Sequence, residues 1–76
     1  MTKKEEVRNH IRRHRREDGE MTQEELAARV GVTRQTILSI ERGRYNPSVA
    51  LALRLAAVFR IPVEELFSLQ DEADHG

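Results

Sequence analysis

The sequence has no cysteine, no long apolar run and no net charge. Without cysteine, the chain can form no disulfide bond, carry out no thiol chemistry and bind no metal through thiolates, which fits a reducing compartment. A chain of 76 residues has room for one domain. A domain of this size buries only about 60% of the surface that its unfolded form exposes. Because no disulfide can add stability, we expect association with a second copy to add it.

The lack of a long apolar run excludes two kinds of membrane segment. The first residues, MTKKEEV, place no apolar stretch after their lysines, so we predict no signal peptide. The most apolar stretch, Val49 to Phe59, contains Arg54 and is too short to cross a bilayer. We therefore expect a soluble, cytoplasmic protein with no membrane partner.

The absence of net charge conceals an uneven distribution. Residues 1–46 hold 11 Lys+Arg against 8 Asp+Glu, a balance of +3, whereas residues 47–76 hold 2 against 5, a balance of −3. The N-terminal part of the chain is thus basic and the C-terminal part is acidic. This asymmetry permits a nucleic-acid partner but does not by itself indicate one.

The spacing of apolar residues predicts five helices and no convincing strand. The first helix is expected from about Lys4 to Glu17, with Val7, Ile11 and His14 on one face, and residues 18–20 break it. The remaining helices are marked by capping residues at their ends.

The second helix opens at Thr22 with the capping box Thr-Gln-Glu-Glu, in which Thr22 and Glu25 each bond the other's backbone. Leu26, Ala27 and Val30 form its inner stripe. Gly31 ends it because that turn needs a positive φ. The third helix starts after Thr33 as N-cap and stops at Gly43, and the loop Tyr-Asn-Pro-Ser follows.

The fourth helix, Val49 to Phe59, is apolar nearly all round, as expected of the central helix of a small bundle. Its cap is either Ser48 or the Asn46-Pro47 pair. Arg60 stands where a helix end often has glycine or asparagine, so we expect a strained turn or a modified cap there. The fifth helix begins with Pro62 as its first residue and continues through Leu66 and Phe67, and residues 71–76 form an acidic, disordered tail.

The spacing between the second and third helices predicts a helix-turn-helix at about residues 23–42. Such a pair needs a small residue where the helices touch, which Ala27 supplies, and a left-handed residue in the turn, which Gly31 supplies. It also needs two apolar anchors on the second helix of the pair, and Ile37 and Ile40 fit. Because these positions agree with one another, the signal is specific.

At this point the chain resembles the lambda-repressor/Cro-like helix-turn-helix family, also called the XRE family. The matching runs are MTQEELAARVGVTRQTILSIERGRYNPS and LALRLAAVFRIPVEELF, and the resemblance covers roughly Val7 to Leu69. It is similar to short stand-alone repressors, including the cytolysin-operon repressor type. The resemblance implies an all-α, five-helix domain over residues 1–70, a homodimer and a near-palindromic operator in double-stranded DNA. In such relatives the terminal segment can add a small β-ribbon, which here would make residues 67–71 extended.

The outward face of the third helix is a candidate base-reading surface. At ~100° per residue, Ile37 and Ile40 point inward, and four polar residues point outward or lie at the edge: Arg34, Gln35, Thr36 and Ser39. The N-terminal part of this helix would enter the major groove. There arginine pairs with guanine, glutamine with adenine, and a hydroxyl with several base edges. The alternative is a merely solvated face, although such faces usually hold more glutamate and lysine.

Phosphate contacts are expected around this helix. The resemblance assigns one to Gln23, near a helix N-terminus that already favours anions. It assigns the others to residues that flank the third helix: Thr33, Arg42, Arg44, Tyr45 and Asn46. Such contacts position a protein on DNA without reading its sequence. The alternative for Arg42, Tyr45 and Asn46 is a structural role in the loop.

Glu41 is acidic inside an otherwise basic segment, which favours a structural role. The family pairs this glutamate with an arginine of the first helix. Counting from Ile11 gives Arg15, with Arg16 as the competitor because the loop at residues 18–20 looks one residue longer than usual.

Other positions bear on partners and cofactors. His14 replaces the leucine usual in the family, and with His10 it has the spacing of a metal pair. No third ligand is near, so we expect no metal. Apolar residues near the C-terminal end either close the monomer core or form a two-fold interface; they are Val58, Ile61, Val63, Leu66, Phe67 and Leu69.

The function predicted from these features is transcriptional control, most simply repression. No cofactor motif, nucleophile elbow or zinc-protease pattern is present, so we expect no enzyme. The alternative is an antitoxin-like or other protein-interaction module whose DNA contact is secondary. In that case the acidic C-terminal part of the chain would contact an unidentified protein partner.

Overall fold

The computed structural model describes residues 7–69, which form five helices and one two-stranded sheet. In chain order, the elements are β1 (Val7–Asn9), α1 (Ile11–Glu17), α2 (Gln23–Val30), α3 (Arg34–Glu41), α4 (Val49–Phe59), α5 (Val63–Leu66) and β2 (Phe67–Leu69). The strands run antiparallel, with Val7 opposite Leu69 and Asn9 opposite Phe67. The predicted domain end at residue 70, the tail at residues 71–76 and the start of the predicted first helix lie outside the described residues.

The core is a single cluster to which all five helices contribute. Its fully buried large side chains are Ile11, Leu26, Ile37, Ile40, Leu55 and Leu66. Both apolar anchors predicted for the third helix belong to this set, so burial fixes the inward face of α3. No helix within residues 7–69 is long and apolar enough to span a membrane.

The predicted caps of the middle helices are confirmed. The Thr22 hydroxyl accepts from the Glu25 N–H at 3.0 Å, and the Glu25 carboxylate accepts from the Thr22 N–H at 2.8 Å. The Thr33 hydroxyl accepts from the Thr36 N–H and the Ser48 hydroxyl from the Leu51 N–H, which caps α3 and α4. Gly31 has a φ of +78°, as the predicted turn requires. These ends follow from local sequence because the three caps each join residues three positions apart and the Gly31 N–H bonds the Ala27 carbonyl four positions back.

The prediction for the first helix is wrong at its N-terminal end. The helix begins at Ile11, and Val7 lies in β1 instead of on a helical face. Asn9 explains the late start, because its Oδ1 accepts from the Ile11 N–H at 3.2 Å and offers the backbone an alternative to helix. The expectation of no strand is also wrong, whereas the β-ribbon implied by the resemblance is confirmed over Phe67–Leu69.

Two further expectations for the C-terminal half are corrected. Pro62 is the N-cap of α5 rather than its first residue, and Phe67 has left the helix with φ −128° and ψ 141°. The fourth helix has the predicted bounds and apolar composition, yet Val49 is 76% and Leu53 53% exposed. The two residues are four apart, so one face of α4 is apolar in composition yet open to solvent.

Replacing Arg60 with glycine is expected to raise the free energy of unfolding. Arg60 ends α4 in the left-handed region, with φ +60° and ψ +42°, which costs a residue with a Cβ roughly 1–2 kcal/mol. The greater freedom of glycine in the unfolded chain offsets part of this. We expect a net gain of about 1 kcal/mol in urea unfolding. As the matched control, Arg54→Gly inside α4 should lower the same quantity by about 1 kcal/mol; equal effects of the two changes would contradict this account.

Candidate nucleic-acid interface

The position of α3 is set by its packing on α2. Ile37 and Ile40 are buried, and Ala27 on the facing side of α2 is buried as well. The turn between the helices is closed by a hydrogen bond from the Val32 N–H to the Ala27 carbonyl at 3.0 Å. The opposite side of α3 therefore has a fixed orientation toward solvent.

The four residues predicted to read bases do not share one environment. Arg34 and Gln35 are exposed, and neither side chain has a hydrogen-bond partner among residues 7–69. Thr36 and Ser39 are half-buried. The Thr36 hydroxyl lies 3.2 Å from that of Thr33, so it is shared with the helix cap. Arg34 and Gln35 are thus the two side chains of this set most available to a partner.

Glu41 pairs with Arg15, not Arg16, in a partly buried network. Arg15 donates through Nε to Glu41 Oε2 at 2.7 Å and through Nη2 to Oε1 at 3.2 Å. Its Nη1 donates to the Met21 carbonyl at 2.8 Å. The two side chains are only 13% and 8% exposed. This bidentate pair ties α1 to the C-terminal end of α3.

The same network orients Gln23, the first residue of α2. Gln23 Nε2 donates to Glu41 Oε1 at 3.0 Å, which uses one of the two N–H groups of the amide. The second N–H has no partner among the described residues. A half-buried amide held at a helix N-terminus, with one donor to spare, can bind an anion.

The other residues predicted to contact phosphate lie at the two ends of α3 and are exposed. Thr33 caps the N-terminal end, and Arg42 caps the C-terminal end. Gly43 follows with a φ of +75° and turns the chain away. The loop then presents three exposed side chains: Arg44, Tyr45 and Asn46.

The match to known proteins agrees with this geometry. The family model HTH_3, described as helix-turn-helix, matches residues 12–66, which is most of the chain. The chain belongs to the HTH_3 family. This is an XRE-type family of DNA-binding transcriptional regulators rather than of enzymes.

Relatives of this HTH_3 chain occur in archaea and bacteria. An uncharacterized HTH-type transcriptional regulator of Methanothermobacter thermautotrophicus is 55% identical over 67 residues, covering 87% of this chain and 96% of the relative. One from Archaeoglobus fulgidus is 52% identical over 66 residues, covering 87% and 93%. The solved structure of the restriction-modification controller protein C.AhdI from Aeromonas hydrophila is 34% identical, with a TM-score of 0.66, over 72% of this chain and 82% of that one.

Asn9 is a residue of this HTH_3 domain that the sequence reasoning missed. Its Nδ2 donates to the Ile40 carbonyl at 2.9 Å, while its Oδ1 accepts from the Ile11 N–H. It thereby links α1 to α3: its amide adds a second donor to the Ile40 carbonyl, which also accepts from the Gly43 N–H at 3.0 Å, and its oxygen bonds the first N–H of α1. Asparagine often bonds the backbone N–H two residues on and so favours a turn over helix, and that signal could have placed the helix start after it.

The residues predicted for a two-fold interface fall into three groups. Leu66 is fully buried in the core of the single chain, so its assignment to an interface is wrong. Leu69 is 37% exposed. The others are half-buried against the core: Val58, Ile61, Val63 and Phe67. The more exposed apolar pair, Val49 and Leu53 on α4, was not predicted, although its i, i+4 spacing signals a shared face.

The two histidines near α1 have different surroundings from a metal pair in the part of the chain that the structure describes. Within residues 7–69, no group of three or more His, Asp or Glu side chains could hold a metal ion. His14 instead packs its ring on Phe59, with the centroids 5.6 Å apart. His14 is half-buried, so its ring packs at the edge of the core beside α4.

Proposed function

We propose that this HTH_3 protein is a sequence-specific transcriptional repressor that places α3 in the major groove of a pseudo-palindromic operator. The observation that carries the proposal is the contrast between the two faces of α3. Its inner face is held by Ile37 and Ile40, while Arg34 and Gln35 stand exposed without partners among residues 7–69. A rigid helix with an arginine and a glutamine at its outward N-terminal end suits guanine and adenine recognition.

Phosphate contacts on both sides of α3 would fix the register of the protein on the duplex. Gln23 would donate its spare amide N–H, pre-oriented by Glu41. Thr33 would contribute from the N-terminal end of α3, and the exposed residues that follow the helix would supply the others: Arg42, Arg44, Tyr45 and Asn46. These contacts add affinity that depends on salt but do not discriminate between sequences.

We further propose that the chain acts as a homodimer. The support is the apolar surface that the monomer leaves partly open at Val58, Ile61, Val63, Phe67 and Leu69. Two copies related by a two-fold axis would place their α3 helices about 34–36 Å apart, one turn of B-DNA. Such spacing would require an operator with two inverted half-sites.

Selection of bound sequences from a pool of random duplexes tests both parts of this proposal. We expect one enriched motif with inverted half-sites whose centres lie about 10 base pairs apart, or a multiple of that spacing. Sedimentation equilibrium of the free protein should give twice the mass of one chain. No enrichment at low salt would overturn the DNA-binding proposal, and a single half-site bound by a monomer would overturn the dimer.

Arg34→Ala should reduce the preference for the selected duplex over a scrambled one by about 1–3 kcal/mol, the worth of one bidentate base contact. The matched control is Arg44→Ala, which removes the same charge from the phosphate-contact set. It should weaken binding to both duplexes by the same factor. Fluorescence anisotropy titrations with the two duplexes measure both effects. An Arg34→Ala protein that loses affinity equally for both would not be reading bases through this residue.

A further inference from the structure

A groove rich in arginine lies between α1 and the C-terminal half of α3. Five arginines and one glutamate line it: Arg12, Arg13, Arg15, Arg16, Arg42 and Glu41. Its volume is about 770 Å³, and it opens to solvent. With His10 at its rim taken as neutral, the groove carries a formal charge of +4, because five positive groups face one negative group.

The pairing of these charges leaves three cations available. Glu41 is bound bidentately by Arg15 and cannot neutralise a second arginine. Arg13 lies 4.0 Å from Glu17 on the exposed side of α1. Arg12, Arg16 and Arg42 have no carboxylate partner within residues 7–69. Like charges so close together repel one another in the free protein, and an anion in the groove would relieve that repulsion.

The groove is continuous with the proposed interface. Leu38 and Arg42 form one wall, and they follow Arg34 at i+4 spacing along a single row of α3. Gln23 lies within the groove as well, beside Glu41. A DNA strand that passes Gln23 while α3 contacts base pairs would therefore run past this cluster of guanidinium groups.

From these contacts we propose that the groove is a second phosphate-binding site, in which Arg12 and Arg16 of α1 hold the DNA backbone next to the base pairs contacted by α3. Arg12 and Arg16 are four residues apart, so both project from the same side of α1. Guanidinium groups suit this ligand because each can donate two parallel hydrogen bonds to one phosphate. This inference rests on the proposed DNA binding and extends the footprint from α2 and α3 to α1.

The test is the salt dependence of binding by the Arg12→Gln/Arg16→Gln protein. Each phosphate contact contributes about 0.9 to the slope of log K against log salt, so we expect the slope to fall by about 1.8 for each bound chain. Affinity for the selected duplex and for a scrambled duplex should fall by the same factor, about tenfold to a hundredfold. The preference between the two duplexes should not change. Thermal melts followed by circular dichroism establish that the variant is folded.

Two matched variants distinguish the effect of removing charge from the groove from the effect of removing charge elsewhere on the protein. Arg12→Lys/Arg16→Lys keeps both charges, so its salt slope should match that of the unmodified chain. Arg29→Gln/Arg54→Gln removes two exposed arginines outside the groove and should leave the slope within about 0.3 of the original. The assignment of the groove as a phosphate-binding site would be overturned in two cases. One is a salt slope that falls as much in Arg29→Gln/Arg54→Gln as in the groove variant. The other is a salt slope that stays low in Arg12→Lys/Arg16→Lys.

The remaining outcomes distinguish failure of this site from failure of the proposed function. If the unmodified chain selects an operator and the glutamine variant keeps its slope, the groove does not bind the backbone, although the proposed function stands. If the unmodified chain binds no duplex, both proposals fail. Inorganic pyrophosphate should compete with DNA only as strongly as its ionic strength predicts. Saturable displacement at micromolar pyrophosphate would instead make the groove an effector site and overturn the backbone assignment.

Discussion

Glu41→Ala is expected to lower the free energy of unfolding by ~3–5 kcal/mol, because it leaves a partly buried cation without its partner. Arg15 would lose both bonds to the carboxylate and keep only the Met21 carbonyl as an acceptor. Gln23 would lose the bond that orients its amide. Since small domains are stable by only about 5–15 kcal/mol, the variant should be largely unfolded at moderate urea concentrations. Urea unfolding followed by circular dichroism measures the change.

Two controls distinguish the loss of this buried pair from the general effect of removing a charge on the free energy of unfolding. Glu17→Ala removes a carboxylate from an exposed pair, Arg13 and Glu17 at 4.0 Å, and should change stability by less than about 0.5 kcal/mol. The double variant Arg15→Met/Glu41→Leu removes both buried charges and should be more stable than Glu41→Ala alone. If Glu41→Ala cost no more than Glu17→Ala, the network would not hold α1 to α3.

Ile37→Ala should cost about 2–5 kcal/mol of unfolding free energy, the range seen when a buried aliphatic side chain is cut to a methyl group. Ile37 is completely buried and lies on the inner face of α3, so the loss would fall on the contact that orients the outward face. We therefore expect DNA affinity to fall more steeply on warming than in the unmodified chain. Differential scanning calorimetry and anisotropy titrations over a range of temperatures measure the two effects.

The matched controls for Ile37→Ala vary the amount and the place of truncation. Ile37→Val removes one methylene group from the same site and should cost about 0.5–1.5 kcal/mol. Val49→Ala truncates a side chain that is 76% exposed and should stay within about 0.5 kcal/mol of the original. A cost for Ile37→Ala as small as that for Val49→Ala would mean that α3 is held mainly by the Arg15–Glu41 pair.

The features predicted correctly from the sequence are those encoded within a few residues. Thr22 and Ser48 cap their helices through residues three positions away, and Gly31 turns the chain because it lacks a Cβ. The burial of Ile37 and Ile40 follows from helical periodicity. The family resemblance added the β-ribbon at Phe67–Leu69, which periodicity alone did not indicate.

The features missed depend on contacts distant in sequence. Val7 looked helical because it lies four residues before Ile11, but its strand exists only by pairing with β2. Leu66 looked available to a second copy, yet the tertiary fold buries it completely. The choice between Arg15 and Arg16 likewise depended on where the loop at residues 18–20 placed α1 against α3. In that loop Glu20 has a positive φ, which glutamate rarely adopts.

The β-ribbon also bears on the order in which the chain assembles. It pairs Val7 with Leu69, 62 positions later, so it brings together the two ends of the described chain. The entropy lost in closing so long a loop is recovered only after the helices between have packed, which makes the ribbon a late event in folding. During synthesis, a nascent chain cannot complete the ribbon until Leu69 has left the ribosome. Asn9 ends β1 and bonds the Ile40 carbonyl, so the link between this strand and α3 belongs to the same late stage of folding.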